Sequence, residues 1–363
     1  MTGDEYKDLL LLYRNIEQQY RIEQYTDASL VQIQKALDIA REQLFDDVAD
    51  LAGVFTSKAR EFEVLEELNR LTFGIQAKLS SDIIDASVVA GEYSFQKYDN
   101  MLSFDGKLAE TVGFNFSAVS PDQLRAMVVS TPVGGKLLED WVKDTFELRI
   151  ADELQTAIIA DTLQGLSTDK IVKHMEEAFG VIKTDAETLV RTYIASINND
   201  AAEAVYKANS DIVKRVEWSA TLEVSTIHGR GTCMICASLD GRVWDLNEPH
   251  PTAPIHPRCR CFLLPKTDTY KNLGLDIDEL KSNIRPYTER GDKRKIIEAG
   301  QFVGDFEGFL KSRDKKYQMD FLGPNRYKLW KSGKIKIKDL SDKNGVVKLL
   351  KKDKDGNYIG LIN

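Results

Sequence analysis

The chain has 363 residues, of which 42% are hydrophobic and 29% charged, with a formal net charge of −8. This composition is ordinary for a folded globular protein with a sizeable core, and the length predicts two or three structural units. No run of about 18 apolar residues is present, so we expect no transmembrane helix and no membrane partner. The apolar run near the acidic N-terminus is too short for a secretory signal, and we expect the protein to fold in a reducing cytoplasm.

The charge is unevenly distributed along the chain. From Lys311 to Lys354 there are fifteen lysines and arginines but only five aspartates and glutamates. This local excess of +10 leaves −18 for the rest of the chain. A basic tail on an acidic body predicts an anionic partner, such as nucleic acid or an acidic protein surface. A solvated lysine-rich surface is the alternative interpretation.

Residues 1–105 have the periodicity of amphipathic helices. Apolar side chains recur there at 3- and 4-residue spacing in several stripes, which is typical of core packing. Thr26 or Asp27 is predicted to be the N-cap that separates the first two helices, and Ser80 or Ser81 the N-cap of a fourth. Long helices of this kind also pack against other subunits, and the sequence does not separate the two uses.

The segment 104–120 contains glycine and has no periodicity, which predicts a linker. Ser120 and Gln123 then form a capping box around Pro121, a residue favoured at the first position of a helix. After a break at Thr131-Pro132, a long helix is predicted over about 137–163.

Two further helices are predicted before the pattern changes. The first runs from Ser167 to Gly180, and the second begins at a capping box of Thr184 and Glu187 and continues to about residue 208. From Lys214 onward, alternation of apolar and polar residues over 216–225 predicts a half-buried strand. Shorter strands are predicted at 242–244 and 262–264.

Beyond residue 265 the sequence predicts mainly short helices. One is expected near 277–284 and another over about 292–311, and the basic tail follows. Residues 321–325 predict a turn, and residues 326–332 a short helix that ends at Gly333.

All four cysteines lie in one stretch, as Cys233-x-x-Cys236 and, after a loop, His256-x-x-Cys259-x-Cys261. Two residues between cysteines let both thiolates reach one tetrahedral ion, and the second group closes the site. Zinc prefers thiolate and imidazole ligands. We predict a structural zinc site whose ligands are Cys233, Cys236, His256 and Cys259, with Cys261 as the alternative to one of the last two.

These patterns together predict an α+β fold that is predominantly α-helical, with a small β-rich zinc-binding knob near residues 214–265, called the β knob below. The predicted units are an N-terminal helical region (1–105), a central domain of helices and β knob (120–265) and a C-terminal extension with the basic tail (266–363). Two other interpretations of the cysteines stay open: four buried apolar side chains, or a disulfide in an oxidised particle.

A site filled by four protein ligands leaves no position for a substrate water, so we expect a structural protein and no enzyme. Catalysis would need an open position and a nearby base, for which Asp240, Asp245 and Glu248 are candidates. His228 is a candidate fifth ligand or base, although a histidine in a glycine-containing run such as Ile227-His228-Gly229-Arg230-Gly231 is more typical of a plain surface loop. His250 also lies close to the motif. Nucleotide-binding and serine-hydrolase motifs are not found in the sequence.

Three runs carry a family resemblance: W-S-A-T (218–221), T-C-M-I-C-A-S-L-D-G-R-V-W (232–244) and H-P-R-C-R-C (256–261). They resemble the minor head, or head morphogenesis, proteins of tailed bacteriophages, the family of the phage Mu F protein and the SPP1 minor head protein. The resemblance is close over about 185–265, and the run at 321–334 is similar to an extension that some members carry. Many relatives have an acidic residue after an Arg-Thr pair, where this chain has Tyr193.

The resemblance implies a structural virion protein that associates with the portal protein, the major capsid protein or the scaffolding protein. It implies that the protein is oligomeric or present in few copies, lies in the capsid interior or near the portal, and passes through the host cytoplasm during assembly. Its role would be to assist head assembly and DNA packaging or delivery, and packaged DNA would be the partner of the segment from Lys311 to Lys354. The alternatives are a nucleic-acid-binding module that acts through this tail, and a zinc-dependent enzyme or toxin-like effector.

Overall fold

The structure is a computed structural model, and it describes the following residues: 3–52, 58–102, 120–130, 132, 136–144, 168–210, 213–225, 231–267, 284–290 and 296–362. These residues form a mixed α/β fold that is mostly helical with small sheets, as the sequence predicts. The predicted linker at 104–120, most of the helix predicted over 137–163 and most of the helix predicted near 277–284 lie outside the described residues.

Long helices dominate the N-terminal two thirds of the described residues. The helices are α1 (Gly3–Ala52), α2 (Lys58–Leu102), α3 (Pro121–Ser130), α4 (Leu138–Lys143), α5 (Thr168–Ala208), α6 (Met234–Leu239), α7 (Phe306–Ser312) and α8 (Lys315–Lys331), with a 3₁₀ helix at Ile337–Leu340. None of these helices combines the length and the apolar character needed to cross a membrane.

Three small sheets complete the described residues. The strands are β1 (Val213–Ser219), β2 (Leu222–Ser225), β3 (Val243–Asp245), β4 (Phe262–Thr267), β5 (Ile284–Arg290), β6 (Ile296–Val303), β7 (Leu349–Lys352) and β8 (Tyr358–Ile362). The sheet orders are β3-β1-β4, β2-β5-β6 and β7-β8. All pairs are antiparallel except β2 with β5, which is parallel.

The predicted helix boundaries at Thr26-Asp27 and Ser80-Ser81 are wrong, because α1 and α2 run through them without interruption. Thr26 instead donates its hydroxyl proton to the carbonyl oxygen of Ile22 at 2.6 Å. A threonine that bonds to the preceding turn in this way satisfies its polar group without ending the helix. Packing of the two helices against each other outweighs the local capping preference.

The predicted boundary at Gly180 and Thr184 is wrong for the same reason. The hydroxyl of Thr184 donates to the carbonyl oxygen of Gly180 at 3.1 Å inside the continuous helix α5. The capping box at Ser120 is confirmed: the amide of Gln123 donates to its Oγ at 3.2 Å, and the amide of Ser120 donates to Oε1 of Gln123 at 2.8 Å.

Helices α1, α2 and α5 pack around one apolar core, to which α3 and α4 also contribute. The predicted stripe at Leu30, Ile33 and Leu37 lies in this core, with each side chain at most 4% exposed. A buried polar contact crosses the interior, because Ser94 of α2 donates its hydroxyl proton to Oδ1 of Asn198 in α5 at 2.7 Å. A buried hydrogen bond of this type fixes the register of packed helices.

The strand predicted over 216–225 is two strands. The extended structure is interrupted at Ala220 and Thr221, and β1 and β2 on either side belong to different sheets. The amide of Ala220 donates to Oδ1 of Asp240 at 2.7 Å, so it is satisfied outside any sheet. The strands predicted at 242–244 and 262–264 are confirmed as β3 and β4.

The C-terminal unit, defined here as residues 296–362, differs from the predicted helices at its start. The helix predicted over 292–311 is wrong: residues 296–303 form β6, which pairs with β5, and helix α7 begins only at Phe306. The turn predicted at 321–325 is a kink in α8, where Gly323 has φ +71 before Pro324. The helical segment that follows ends at Lys331, and Gly333, whose φ is +72, comes directly after the C-cap Ser332.

The β knob and the C-terminal unit share an apolar cluster. Leu222 of β2 and Ala237 of α6 are buried in it together with Phe306, Phe309 and Trp330. Across residue 265, β2 also pairs with β5. The division into units at 1–105, 120–265 and 266–363 stays a prediction.

Asp240 joins the β knob to the C-terminal unit, and substitutions at this residue test how much that connection stabilises the fold. Its carboxylate is 1% exposed and also accepts the amide proton of Phe306 at 2.7 Å. Asp240→Ala leaves two buried backbone donors without this acceptor, and we expect a loss of at least about 2 kcal/mol in the free energy of unfolding. Asp240→Asn keeps one acceptor oxygen and is expected to lose less. Urea unfolding measures both, and exposed Asp245→Ala is the control, expected within about 0.5 kcal/mol of wild type.

Candidate metal centre

The first arm of the site is the start of helix α6. Cys233 is the N-cap of this helix, and its Sγ accepts the amide proton of Cys236 at 3.4 Å. The sulfur therefore satisfies a backbone donor that the first turn of a helix leaves free. The same turn brings the two thiols to one side of the helix start.

The second arm is the turn that precedes β4. The amide of Cys259 donates to the carbonyl oxygen of His256 at 3.1 Å, which closes the turn. Nδ1 of His256 lies 2.8 Å from the carbonyl oxygen of Pro257. Since a carbonyl oxygen only accepts, Nδ1 carries the hydrogen and the ring is held with Nε2 toward the thiols. Nε2 lies 3.3 Å from Sγ of Cys236.

The two arms form one cluster of sulfur and imidazole donors. The donor atoms of Cys233, Cys236 and His256 lie within 4.8 Å of one another, as do those of Cys236, Cys259 and Cys261. Tetrahedral zinc with ordinary Zn–S and Zn–N bond lengths places its ligand atoms roughly 3.5–3.8 Å apart. The Sγ atoms of Cys236 and Cys259 are 3.7 Å apart, so these residues fit a tetrahedral ion. All four cysteines are free thiols.

The electrostatics of the cluster favour charge separation. The pKa of Cys233 is lowered to about 5, first by the hydrogen bond from Cys236 and then, against burial, by His256. The pKa of Cys259 is lowered well below its ordinary value, first by the hydrogen bond from Cys236. Burial lowers the pKa of His256, but hydrogen bonds and charges of Cys233 and Cys259 outweigh it and raise the pKa to about 11. Thiolates are the form in which cysteine binds metals.

The remaining two thiols stay protonated in this arrangement. The pKa of Cys236 is raised well above its ordinary value, first because it donates to Cys233 and then by Cys259, Cys261 and burial. The contact with Cys236 lowers the pKa of Cys261, but Cys259 and burial outweigh it and raise this pKa well above its ordinary value.

The structure places the predicted ligands in two overlapping groups, with Cys233, Cys236 and His256 in one and Cys236 and Cys259 in the other. Cys233, Cys236, His256 and Cys259 each contribute a donor atom, and Cys261 joins them through Cys236 and Cys259. The two groups share Cys236 and together offer five donor atoms, one more than a tetrahedral ion takes. The ligand set with Cys233, Cys236, His256 and Cys259 stays a prediction, with Cys261 as the alternative.

The other residues considered from the sequence lie elsewhere. His250 is outside both groups of donors, and its side chain is 5% exposed. Its Nδ1 lies 2.7 Å from the carbonyl oxygen of Glu248. Asp240 is buried in the joint described above, and Asp245 lies on the exposed side of β3. The carboxylate of Glu248 pairs with a lysine of the C-terminal unit at 3.1 Å. His228 lies outside the described residues.

Sequence reasoning missed the charged residues that surround the cluster. Arg260, between two cysteines, pairs with Glu223 of β2 at 2.5 Å, and its second carboxylate neighbour is Glu23 of α1 at 3.9 Å. Glu223 falls on the polar face of the predicted strand, yet it is only 2% exposed. The one available signal is the charged residue between two buried cysteines, since such a residue requires a partner.

Residues 150–264 match the family model described as phage Mu protein F like protein. This segment is similar to that family. It contains α6, both arms of the cysteine cluster and the strands β1, β2 and β3, so the match and the resemblance rest on the same part of the chain. The match supports a phage head morphogenesis family and favours a structural role and a location in the virion. No curated protein and no solved structure matches the chain significantly.

The cluster generates the second test, which is metal content. Protein purified in reducing buffer is expected to carry about one zinc per chain, measured by atomic emission. Cys236→Ser should reduce this to near zero and lower the melting temperature, because metal binding and folding of a small β unit are one equilibrium. Cys261→Ser should retain zinc if His256 is a ligand.

His256→Asn and His250→Asn form a matched pair for this test. The first removes a predicted ligand, whereas the second removes a buried histidine outside the cluster. Zinc-free wild-type protein whose melting temperature is unchanged by chelator would contradict the predicted site.

Proposed function

We propose that this protein is a minor head protein of a tailed phage, a structural component that assists head assembly and DNA packaging or delivery. The observation that carries the proposal is the similarity of residues 150–264 to the Mu F-like family. The family implies association with other capsid components in general. Within that class, we propose the portal protein as the main partner, with the major capsid or scaffolding protein as the alternative.

The geometry of the cluster supports a structural role over a catalytic one. Cys236, Cys259 and Cys261 are at most 4% exposed, so their thiols face one another and not solvent. The two groups offer five donor atoms, so protein ligands alone suffice for the four positions of a tetrahedral zinc, whereas a catalytic zinc keeps one position open to water. We infer that zinc, held by Cys233, Cys236, His256 and Cys259, ties the helix start at α6 to the turn before β4.

We further propose that the protein lies in the capsid interior or near the portal, in few copies or as an oligomer, after assembly in the host cytoplasm. The unequal charge of the chain supports an interior position, since the segment from Lys311 to Lys354 is basic and packaged DNA is the dominant polyanion there.

The third test is incorporation into particles. Procapsids and mature heads purified from infected cells are expected to contain the protein at low copy number, and lysine cross-linking should join it to the portal protein. Cys236→Ser should lower incorporation because the β knob loses its order. Absence of the wild-type protein from both particles would overturn the proposal, and cross-links to capsid or scaffolding protein alone would replace the portal as partner.

A second candidate function is nucleic-acid binding by the C-terminal unit. It is favoured because several acidic side chains of this unit accept hydrogen bonds from its own backbone. Asp314, Asp339, Asp342 and Asp353 accept backbone amide protons at helix starts and turns. Glu307 accepts from the amide of the 3₁₀ helix at 3.1 Å. These carboxylates are therefore engaged by the fold of the unit itself.

The lysines of the same unit point to solvent. Exposed lysines are Lys311, Lys315, Lys316, Lys328, Lys331, Lys334, Lys336, Lys338, Lys343, Lys351, Lys352 and Lys354. Of these, Lys311 pairs with Glu307 and Lys343 with Glu248. Nζ of Lys331 lies 4.9 Å from the ring centroid of Trp330, and Nζ of Lys352 lies 4.8 Å from that of Tyr358. Basic groups beside aromatic rings are the combination that contacts phosphates and bases in nucleic-acid-binding proteins.

The fourth test is the salt dependence of DNA binding by the full chain. The affinity for duplex DNA is expected to fall steeply with salt concentration. Replacing Lys334 and Lys336 with glutamine should reduce the slope of log affinity against log salt by up to about 2, since each phosphate contact contributes about 0.9. Replacing the exposed Lys35 and Lys78 of the N-terminal helices is the matched control and should leave the slope unchanged. An affinity that does not change with salt concentration, or an equal change of slope in both pairs of variants, would contradict this function.

A further inference from the structure

Arg258 occupies an unusual backbone position inside the second arm of the metal site. It lies between Pro257 and Cys259 and has φ +60, the one non-glycine residue with positive φ among the described residues. The left-handed conformation is unfavourable for a long side chain and is adopted chiefly by glycine, asparagine and aspartate. Contacts elsewhere must therefore hold Arg258 in place.

Three hydrogen bonds connect Arg258 to one face of helix α5. The amide of Arg258 donates to Oγ1 of Thr192 at 3.0 Å, and its Nε donates to Oγ1 of Thr188 at 2.8 Å. Its Nη2 donates to the carbonyl oxygen of Thr184 at 3.1 Å. The backbone and the guanidinium of Arg258 are thus both bound to α5, over two turns of the helix.

The threonines are suited to this role by their spacing and by the direction of their protons. Residues four apart lie on one face of a helix, so Thr184, Thr188 and Thr192 form a row. Thr188 donates its hydroxyl proton to the carbonyl oxygen of Thr184 at 2.8 Å, and Thr192 donates to that of Thr188 at 2.6 Å. Their hydroxyl protons are therefore occupied, and the oxygens present lone pairs to Arg258.

A carboxylate completes the surroundings of the guanidinium. Oε2 of Glu187 lies 3.7 Å from Nη2 of Arg258, and Oε1 of the same side chain accepts from Arg191 at 2.9 Å. The side chain of Arg258 is 26% exposed, so these bonds form in a partly desolvated setting where charged hydrogen bonds are strong.

We propose that Arg258 is a positioning residue for the metal site: it holds the turn from His256 to Cys259 in its ligating shape before the metal arrives. The proposal rests on the metal site proposed above. Helix α5 supplies the rigid support, and the turn bonded to it carries two donors of the cluster. Loss of these contacts frees the turn, so metal binding must then order it.

The test compares zinc affinity and zinc release in full-length variants, with a chromophoric chelator as competitor. Arg258→Asn tolerates the left-handed conformation but lacks the guanidinium, and is expected to weaken zinc binding 10–100-fold, the range typical of residues that orient metal ligands. Thr188→Val should weaken it in the same direction, whereas Thr188→Ser keeps the hydroxyl and should restore it. Arg215→Asn, at an exposed position of β1, is the control.

The outcomes separate the two proposals. A wild-type protein without zinc overturns the metal site itself. Zinc binding by wild type with unchanged affinity in Arg258→Asn overturns only the positioning role. Where Arg258→Asn fails to fold, the Thr188→Val and Thr188→Ser pair decides, and equal zinc affinity in these two variants overturns the proposal.

Discussion

Helix α6 is the element on which the rest of the β knob depends. Six residues are too few for a helix that is stable by itself, so α6 requires support from its surroundings. The thiols of Cys233 and Cys236 lie at its start, and Ala237 is buried against the C-terminal unit. Asp240 at its end accepts amide protons from both sides. A change at the cysteine cluster is therefore expected to affect the packing of the C-terminal unit against α6.

The features that the sequence predicts correctly are those set by neighbours in the chain. The capping box at Ser120 and Gln123 is complete within four residues, and β3 and β4 follow directly from short apolar runs beside the cysteines. Clustering of Cys236 and Cys259 is also predictable, because cysteine pairs in a reducing compartment point to a shared ligand. The similarity to the Mu F-like family is recognisable from the same residues.

The features that the sequence does not predict depend on distant partners. Thr26 and Thr184 have the chemistry of helix caps, and only packing against other helices keeps their helices continuous. The alternating pattern predicts that Glu223 points outward, but Arg260, 37 positions later, pairs with its carboxylate in the interior. The contacts of Arg258 with α5 span more than 60 positions and leave no local pattern.

The parallel pairing of β2 with β5 can form only late in synthesis. A chain that emerges from its N-terminus presents every cysteine before residues 284–290 exist, so the cluster has all its donors while the edge of β2 is still bare. Bare strand edges invite pairing with other chains. Early closure of the cluster would fix β1 and α6 during that interval and present β2 in one register. The nascent protein therefore has every donor of the cysteine cluster before it has the strand that covers the edge of β2.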